Sequence, residues 1–465
     1  MNGIKIDYNN MMSGAIGSKQ GMPASAFNTD KALIASARDK VLSSRGKGWQ
    51  EWTELPFIDK EEVDRIMLHG KRLRHQFASF VIFGIGGSAL GPLAVATALL
   101  HLRHNELRPN SRKGPRFYVE DNVDPERMAA LLDVIDPADT LFNVITKSGE
   151  TGETLSQMLI ALDILHKALG DKAKENIIVT TTVGKGTLYN IAVERGYGIY
   201  GIGKGVGGRF SVLSPVGLLP FATLGINLKK LLRGAEHMSK TCQKVGVRSN
   251  PALIAAYLQY YSMREGKNIS VMMPYADSLK YMADFYCQLW GESLGKAVNN
   301  AGKRVYAGQT PVRALGVTDQ HSQIQLYTEG PFDKVVTFIG VQNFRAKVKI
   351  PEVPGIKGAE FLQNHTLGEL INAEREATAF ALTRAKRPNF TILLDEVSEF
   401  NVGQLLMLMM YQTAFCGAML NIDAYNQPGV EEGKLATFAM LGRPGYEKKL
   451  AEIKAAFHKD KFIIE

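Results

Sequence analysis

The stretch Thr146-Lys-Ser-Gly-Glu-Thr-Gly-Glu-Thr154 lies where a short apolar run gives way to a helical repeat. The apolar run before it, Leu141–Ile145, is typical of a buried strand. The helix after it is predicted by apolar residues at helical spacing, namely Leu155, Met158, Leu159, Leu162 and Leu165. A strand that passes through a turn into a helix is the repeating unit of α/β proteins.

The hydroxyl groups and glycines of this turn are suited to binding an anion. The first N–H groups of a helix lack backbone partners, and the helix dipole favours negative charge. Thr146, Ser148 and Thr151 can add hydrogen bonds, and Gly149 and Gly152 let a ligand approach the backbone. The turn has no G-x-x-x-x-G-K-[ST] pattern, so a small phosphorylated metabolite is favoured over a nucleotide. A plain helix-capping turn fits the same residues equally well.

The bulk composition indicates a globular protein with two or more domains. Of its 465 residues, 45% are hydrophobic and 22% are charged. The net charge is +9, but basic and acidic residues are interleaved, which favours anionic substrates over nucleic acid. Three distant cysteines, Cys242, Cys287 and Cys416, and an N-terminus without an apolar signal core predict a reducing, cytoplasmic location.

Two uncharged stretches could be mistaken for membrane spans. Residues 80–100 contain glycines and a proline, which predicts a buried strand, a turn and a buried helix. Residues 405–420 are short for a span and predict a buried core helix. We therefore expect no membrane partner.

Strand and helix patterns alternate along the chain in two series. The first series predicts strands at 80–83, 117–119, 141–145 and 177–181, and the second at 269–273, 335–339 and 391–394. Such alternation predicts parallel sheets with helices on both faces. The first fifty residues are polar and predict an irregular or helical arm. The boundary between the two series is expected near residues 224–248.

Two further glycine-rich segments are candidate binding turns. Gly84-Ile-Gly-Gly-Ser-Ala-Leu-Gly91 resembles a dinucleotide-binding turn, but the acid expected about 20 residues beyond it is missing. The other interpretation is a second phosphate-facing turn, with Ser88 at the start of a helix. Gly207-Gly-Arg-Phe-Ser211 presents Arg209, whose guanidinium can bind an oxyanion, although a surface salt bridge is common for such a residue.

Three more segments contain candidate acids and bases. Gly291-Glu-Ser-Leu-Gly-Lys296 follows an apolar helix at 279–290 and carries Glu292, which can act as a general base. Asp319-Gln-His-Ser322 carries His321, which can exchange protons near neutral pH. Gln427-Pro-Gly-Val-Glu-Glu-Gly-Lys434 predicts a turn before a helix that carries Lys434. Each has a plain alternative: a solvated glutamate, a structural histidine and a solvated lysine.

Taken in this order, the motifs closely resemble those of the glucose-6-phosphate isomerase family in its compact bacterial form. The resemblance implies an α/β fold with two sugar isomerase domains, each a parallel sheet flanked by helices. It implies an N-terminal arm at 1–55, a first sugar isomerase domain at 56–230, a second at 231–425, and a C-terminal helical segment at 426–465. The implied activity is the glycolytic and gluconeogenic interconversion of glucose 6-phosphate and fructose 6-phosphate.

The resemblance also implies roles for individual residues. Glu292 matches the base that moves a proton between C1 and C2, and Arg209 the cation that stabilises the enediolate. His321 and Lys434 match the ring-opening groups, with Glu153 orienting the histidine. The substrate-binding positions are Gly87, Ser88, Thr146, Lys147, Ser148, Thr151 and Gln427. Leu294 stands where many relatives have asparagine, so the surroundings of the base can differ here.

The remaining expectations concern cofactors, partners and competing functions. The sequence has no zinc-ligand spacing and no acid-rich calcium loop, so we expect no metal and no cofactor. By resemblance, the protein is a homodimer in which His321 enters the neighbouring subunit's active site. A non-catalytic sugar-phosphate-binding regulator of the same fold and a nucleotide-dependent oxidoreductase are the alternatives. The regulator would lack the base or the histidine, and this chain has candidates for both.

Overall fold

The computed structural model describes residues 3–456 and residue 464. The strands are β1 Lys5–Asp7, β2 Ser79–Phe83, β3 Arg116–Glu120, β4 Thr140–Ile145, β5 Ile177–Thr181, β6 Gly198–Gly201, β7 Ile269–Pro274, β8 Lys296–Val298, β9 Arg304–Ala307, β10 Thr310–Arg313, β11 Lys334–Asn343 and β12 Asn389–Glu396. The α-helices are α1 Ser13–Ile16, α2 Ala26–Thr29, α3 Lys31–Ser43, α4 Lys60–Gln76, α5 Gly87–Leu99, α6 Pro125–Val134, α7 Gly152–Leu169, α8 Thr187–Arg195, α9 Pro215–Leu224, α10 Leu228–Thr241, α11 Pro251–Arg264, α12 Lys280–Leu294, α13 Ile324–Glu329, α14 Leu367–Arg384, α15 Glu399–Met419, α16 Glu431–Met440 and α17 Glu447–Ala456.

The first sheet contains five parallel strands in the order β3-β2-β4-β5-β6. Strands β2, β4 and β5 are buried along their whole length, which is expected of central strands covered on both faces. Val81, Phe142 and Val179 form a core with Met158 and Leu165 of α7. Full burial of each such side chain stabilises the fold by about 1.5–3 kcal/mol. The predicted parallel sheet is confirmed.

The second sheet also has five strands, in the order β1-β12-β11-β7-β10. Its strands are parallel except β1, which pairs antiparallel with β12 and places Asp7 opposite Thr391. The N-terminal arm is therefore not wholly irregular or helical, since it contributes an edge strand to this sheet. Strand β10 contains Pro311, which fits the other edge of the sheet because proline cannot donate to the ladder.

Helix α15 is the central helix of the fold. Almost all of its residues are buried, and it packs against α10, α11, α3 and α12. Among the described residues it is the one helix long and apolar enough to cross a membrane, yet 94% of its apolar window is buried inside the protein. The expected core helix at 405–420 is confirmed. The expected strand, turn and helix at 80–100 are confirmed as β2, a glycine turn and α5.

The chain divides into two compact units, at residues 1–424 and 425–465. The first unit contains both five-stranded sheets and the two-stranded sheet β8-β9. The described part of the second unit has a 3-10 turn at Pro428–Val430 followed by α16 and α17. Within it, Lys449 forms ion pairs with Glu432 and Glu452. The predicted turn and helix around Lys434 are confirmed.

Candidate active site

Three hydroxyl groups converge in the turn between β4 and α7. Thr146 Oγ1 lies 2.7 Å from Thr151 Oγ1 and 3.3 Å from Ser148 Oγ, and the last two oxygens are 3.5 Å apart. Thr151 occupies the N-cap position of α7, but its hydroxyl makes no cap hydrogen bond. The turn therefore differs from a plain capping turn, since the cap hydroxyl points to the other two. A cluster of hydroxyls at the N-terminus of an 18-residue helix can hold an anion.

The loop after β5 holds this turn in place by close backbone packing. Gly149 has φ +71°, a conformation that favours glycine. The N–H of Leu188 donates to the Gly149 carbonyl at 3.0 Å. A β-carbon on Gly186 would lie 2.4 Å from the carbonyl oxygen of Ser148. Gly186 is therefore required for the two loops to meet.

The glycine turn after β2 packs against other backbone and side chains of the same chain. A β-carbon on Gly87 would lie 2.1 Å from the Gly208 carbonyl oxygen and 2.6 Å from the Arg209 nitrogen. A β-carbon on Gly86 would lie 2.6 Å from Nε2 of Gln288. The glycines thus bring Arg209 and α12 next to the end of β2, with Ser88 in the first turn of α5.

An acid does stand at the end of the neighbouring strand, although it is too distant in sequence for the dinucleotide motif. Glu120 ends β3, and its carboxylate forms a 2.8 Å ion pair with Arg127, which also pairs with Asp121 at 2.7 Å. Burial raises the pKa of Glu120, while the Arg127 charge opposes that rise. Because Arg127 occupies this carboxylate, the geometry gives no support to a ribose-binding role.

Arg209 is a buried cation directed at α12. Its side chain lies in the 3-10 turn Gly208–Phe210 and is 3% exposed. Nε–H donates to Ser293 Oγ at 2.7 Å, Nη2 donates to the Ala424 carbonyl at 2.7 Å, and Nη1 lies 3.3 Å from Glu292 Oε2. The surface salt-bridge interpretation is therefore wrong. The guanidinium plane is held by partners 84 and 215 residues away in sequence.

Glu292 lies near the end of α12 and is held from two sides. Oε2 faces Arg209, and Oε1 accepts a 3.0 Å hydrogen bond from Nε2 of Gln288, one helical turn earlier. The side chain is 34% exposed, so the carboxylate is partly open to solvent. Sequence reasoning missed Gln288, although the i, i+4 spacing on a helix was a usable signal.

Lys296 caps the C-terminal end of α12, the helix that carries Glu292. Its ammonium donates to the carbonyls of Glu292 at 2.6 Å and Ser293 at 2.9 Å, which otherwise lack helical partners. Burial, with a contribution from the charge of Arg209, lowers the pKa of Lys296 to about 8. No role for this lysine was predicted from the sequence.

Leu294 points away from this site. It is fully buried, and a β-carbon on Gly417 of α15 would lie 3.6 Å from its Cδ2. The leucine at this position therefore contributes to the core packing between α12 and α15.

His321 lies on a loop that is fixed by its neighbours. The ring is exposed, and within the described residues it makes no hydrogen bond or ion pair with Glu292 or Glu153. The amide of Gln320 accepts from Tyr275 OH at 2.9 Å and from Thr378 at 2.7 Å, and it donates to Glu374 at 3.1 Å. The structure therefore presents His321 to solvent on a rigid support.

The other predicted residues are placed as follows. Glu153 is exposed in the first turn of α7. The ammonium of Lys147 donates to the Lys204 carbonyl at 2.8 Å, so it is not directed at the three hydroxyls. In the second unit, Gln427 precedes the 3-10 turn and Lys434 pairs with Glu431 at 3.0 Å. Within residues 3–456 and 464, no three His, Cys, Asp or Glu side chains cluster as metal ligands do.

The fold and this geometry define a class: an α/β protein with two five-stranded, mainly parallel sheets, a hydroxyl-rich turn at the start of α7, and a buried arginine paired with a partly exposed glutamate. The profile of the phosphoglucose isomerase family matches residues 68–456. The chain therefore belongs to the phosphoglucose isomerase family.

Similar proteins agree with this assignment. A glucose-6-phosphate isomerase from Carboxydothermus hydrogenoformans is 50% identical over 463 residues, which is 99% of this chain and 100% of that protein. One from Thermus thermophilus is 38% identical over 414 residues, covering 89% of this chain and 95% of that protein.

Two solved structures are also similar. A hypothetical protein from Thermus thermophilus has a TM-score of 0.85 at 36% identity, covering 94% of this chain and all of that one (100%). A glucose-6-phosphate isomerase from Chlamydia trachomatis has a TM-score of 0.80 at 20% identity over 97% of this chain and 96% of that chain, which shows the shared fold.

Proposed function

We propose that this protein is an aldose–ketose isomerase that interconverts glucose 6-phosphate and fructose 6-phosphate through ring opening and an enediolate. The observation that carries the proposal is the contact between Arg209 and Glu292, a buried cation and a partly open carboxylate 3.3 Å apart. Family membership and the named relatives support the same substrate pair.

The arrangement of the site suits a proton transfer between two adjacent carbons. A single base must reach both C1 and C2, and Glu292 is held by Arg209 and Gln288 in one position. Negative charge develops on the substrate oxygens as the proton leaves. Arg209 supplies a fixed positive charge there, and such preorganised electrostatic stabilisation is often the largest catalytic contribution. Its hydrogen bonds to Ser293 and Ala424 hold the guanidinium in place before the reaction begins.

The turn after β4 is proposed to bind the phosphate group. Thr146, Ser148 and Thr151 offer hydroxyls at the start of α7, and the first N–H groups of a helix lack intrahelical partners. The close packing of Gly87 on Arg209 links this side of the sheet to the catalytic pair. Gly87, Ser88 and Lys147 are proposed to belong to the same phosphate-binding region.

Ring opening is proposed to need His321 and Lys434, with Glu153 orienting the histidine and Gln427 contacting the substrate. The ring oxygen must gain a proton when the hemiacetal opens, which suits a histidine near neutral pH. The exposure of His321 on a rigid loop supports its presentation to a second subunit. The proposal also includes a homodimer with shared active sites, the four segments predicted from the sequence, and a cytoplasmic location.

The activity is tested by following fructose 6-phosphate turnover with a coupled glucose 6-phosphate readout. We expect turnover to survive exhaustive chelation, because the sequence has no metal-binding motif. Loss of activity that returns with a divalent ion would reject the metal-free mechanism. A folded sample without any turnover would reject the isomerase proposal.

The shared site is tested by refolding two inactive variants together, Glu292→Gln and His321→Ala. If the histidine acts across a dimer interface, each mixed dimer has one intact and one doubly altered site. Random pairing then restores roughly a quarter of wild-type activity. If every group comes from one chain, each site keeps a lesion. Mixed dimers that are present but inactive would refute the shared site.

A further inference from the structure

The side chain of Lys147, in the proposed phosphate turn at 146–151, contacts Trp49 and the Lys204 carbonyl. Its Nζ lies 4.1 Å from the centroid of the Trp49 ring and donates to the Lys204 carbonyl at 2.8 Å. An ammonium at this distance from an indole is attracted by the negative face of the ring. Desolvation lowers the pKa of Lys147 to about 8, while the Glu51 charge opposes this. Lys147 is thus a structural partner of Trp49.

Trp49 belongs to the 3-10 segment Gly48–Phe57, which also contacts the loop leading to Arg209. Glu51 Oε2 accepts the N–H of Gly205 at 2.9 Å, and a β-carbon on Gly205 would lie 1.8 Å from the Gly48 carbonyl oxygen. The backbones of the two segments are therefore in direct contact.

A second contact of the same segment reaches the neighbour of Arg209. The Trp52 ring stacks on Phe210 with centroids 5.0 Å apart and an interplanar angle of 25°. The segment consequently touches the phosphate turn through Trp49 and the Arg209 loop through Trp52 and Glu51. It is a brace between the two halves of the proposed site.

We infer that Trp49 is a positioning residue for the substrate phosphate: its ring holds Lys147 and thereby fixes the phosphate turn relative to Arg209. The inference rests on the proposed function, because it assumes that the turn binds phosphate. Trp49 itself touches no reacting atom. Trp49 is 51% exposed, whereas Trp52 and Trp290 are fully buried, so its ring contacts Lys147 at the surface and does not form part of the core.

The first test measures binding of inorganic phosphate and of fructose 6-phosphate to wild type and to Trp49→Ala, Trp49→Phe and Lys147→Met. Trp49→Ala should weaken both phosphate ligands about two- to tenfold, the range expected for losing one cation–π contact. The affinity of Trp49→Phe for phosphate ligands should lie between those of wild type and Trp49→Ala, because phenylalanine keeps a weaker π face. Affinity for unphosphorylated fructose should change little.

A double-mutant cycle separates this role from a general structural one. If Trp49 acts through Lys147, the double variant Trp49→Ala with Lys147→Met should bind phosphate no more weakly than the worse single variant. Phe57→Ala is the matched control, since Phe57 is a partly exposed aromatic of the same segment that lies under Arg45. It should leave phosphate affinity at the wild-type value.

Several results would overturn the inference. These are unchanged phosphate affinity in Trp49→Ala, equal weakening of fructose and fructose 6-phosphate, additive effects in the cycle, or an equal loss in Phe57→Ala. Wild-type protein that isomerises normally while Trp49→Ala keeps full phosphate affinity would reject the inference and leave the proposed function intact. Wild-type protein that binds no phosphate ligand would reject both.

Discussion

The change Glu292→Gln tests the centre of the proposed mechanism because it removes basicity while keeping the shape of the side chain. In the structure one carboxylate oxygen accepts from Gln288 and the other faces Arg209. The amide oxygen of the glutamine can serve only one of these donors, so its NH2 group must face the other. The side chain should remain near its present position, but it cannot accept a proton from carbon.

The expected loss of kcat follows from the proposed role of Glu292 as a general base. General base catalysis typically contributes about 10²–10⁴-fold, or roughly 2.7–5.4 kcal/mol of the barrier, so kcat should fall at least about 10²-fold. Stability should fall by only about 1–2 kcal/mol, because Arg209 keeps its hydrogen bonds to Ser293 and Ala424. Binding of a non-isomerisable sugar phosphate should persist.

The assay is steady-state turnover of fructose 6-phosphate, with calorimetric binding of a phosphorylated polyol as the check on site integrity. Glu62→Gln is the matched control, because it removes a carboxylate that pairs with Arg65 on the surface of α4. It should leave kcat unchanged. A kcat within tenfold of wild type in Glu292→Gln would show that Glu292 is not the base.

Three further outcomes are expected. Arg209→Lys keeps the charge but loses the planar fork, so kcat/KM should fall about 10²–10³-fold, and a loss below tenfold in steady-state kinetics would contradict its role. Changing Ser148 and Thr151 together to alanine should weaken sugar-phosphate binding by roughly 1–3 kcal/mol with little effect on fructose, and equal losses in titration would indicate structural damage. In the folded protein the pKa of Lys296 is lowered from 10.5 to about 8. Between pH 8 and 10.5 the unfolded chain therefore binds more protons than the folded one, so the free energy of unfolding rises with pH in this range. In denaturant unfolding, the free energy of unfolding of wild type relative to Lys296→Met should increase from pH 8 to 10. A difference in unfolding free energy that does not change with pH would refute this.

Much of the fold could be predicted from local patterns. The strand at 177–181 and the helix after Thr146 were expected because buried parallel strands are continuous apolar runs and amphipathic helices repeat every 3.6 residues. The short edge strands β1, β6 and β10 were missed. β6 contains two glycines and β10 contains a proline. All three edge strands form only because a neighbouring strand provides backbone hydrogen-bond partners.

The family, the α/β class and the candidate residues could be predicted without coordinates, because the motifs that carry them are contiguous and ordered along the chain. Which of these residues contact one another depends on the folded chain. Arg209 contacts Glu292, which is 83 residues away in sequence, and Ala424, which is 215 residues away. Trp49 contacts Lys147, which belongs to a different segment of the chain. Contacts of this kind depend on how helices and loops pack on the sheets, since a side chain's partners are set by proximity in space. For that reason the contacts of Lys296 and Trp49 could not be predicted from their own segments, and Gln288 had only the signal of its i, i+4 spacing to Glu292.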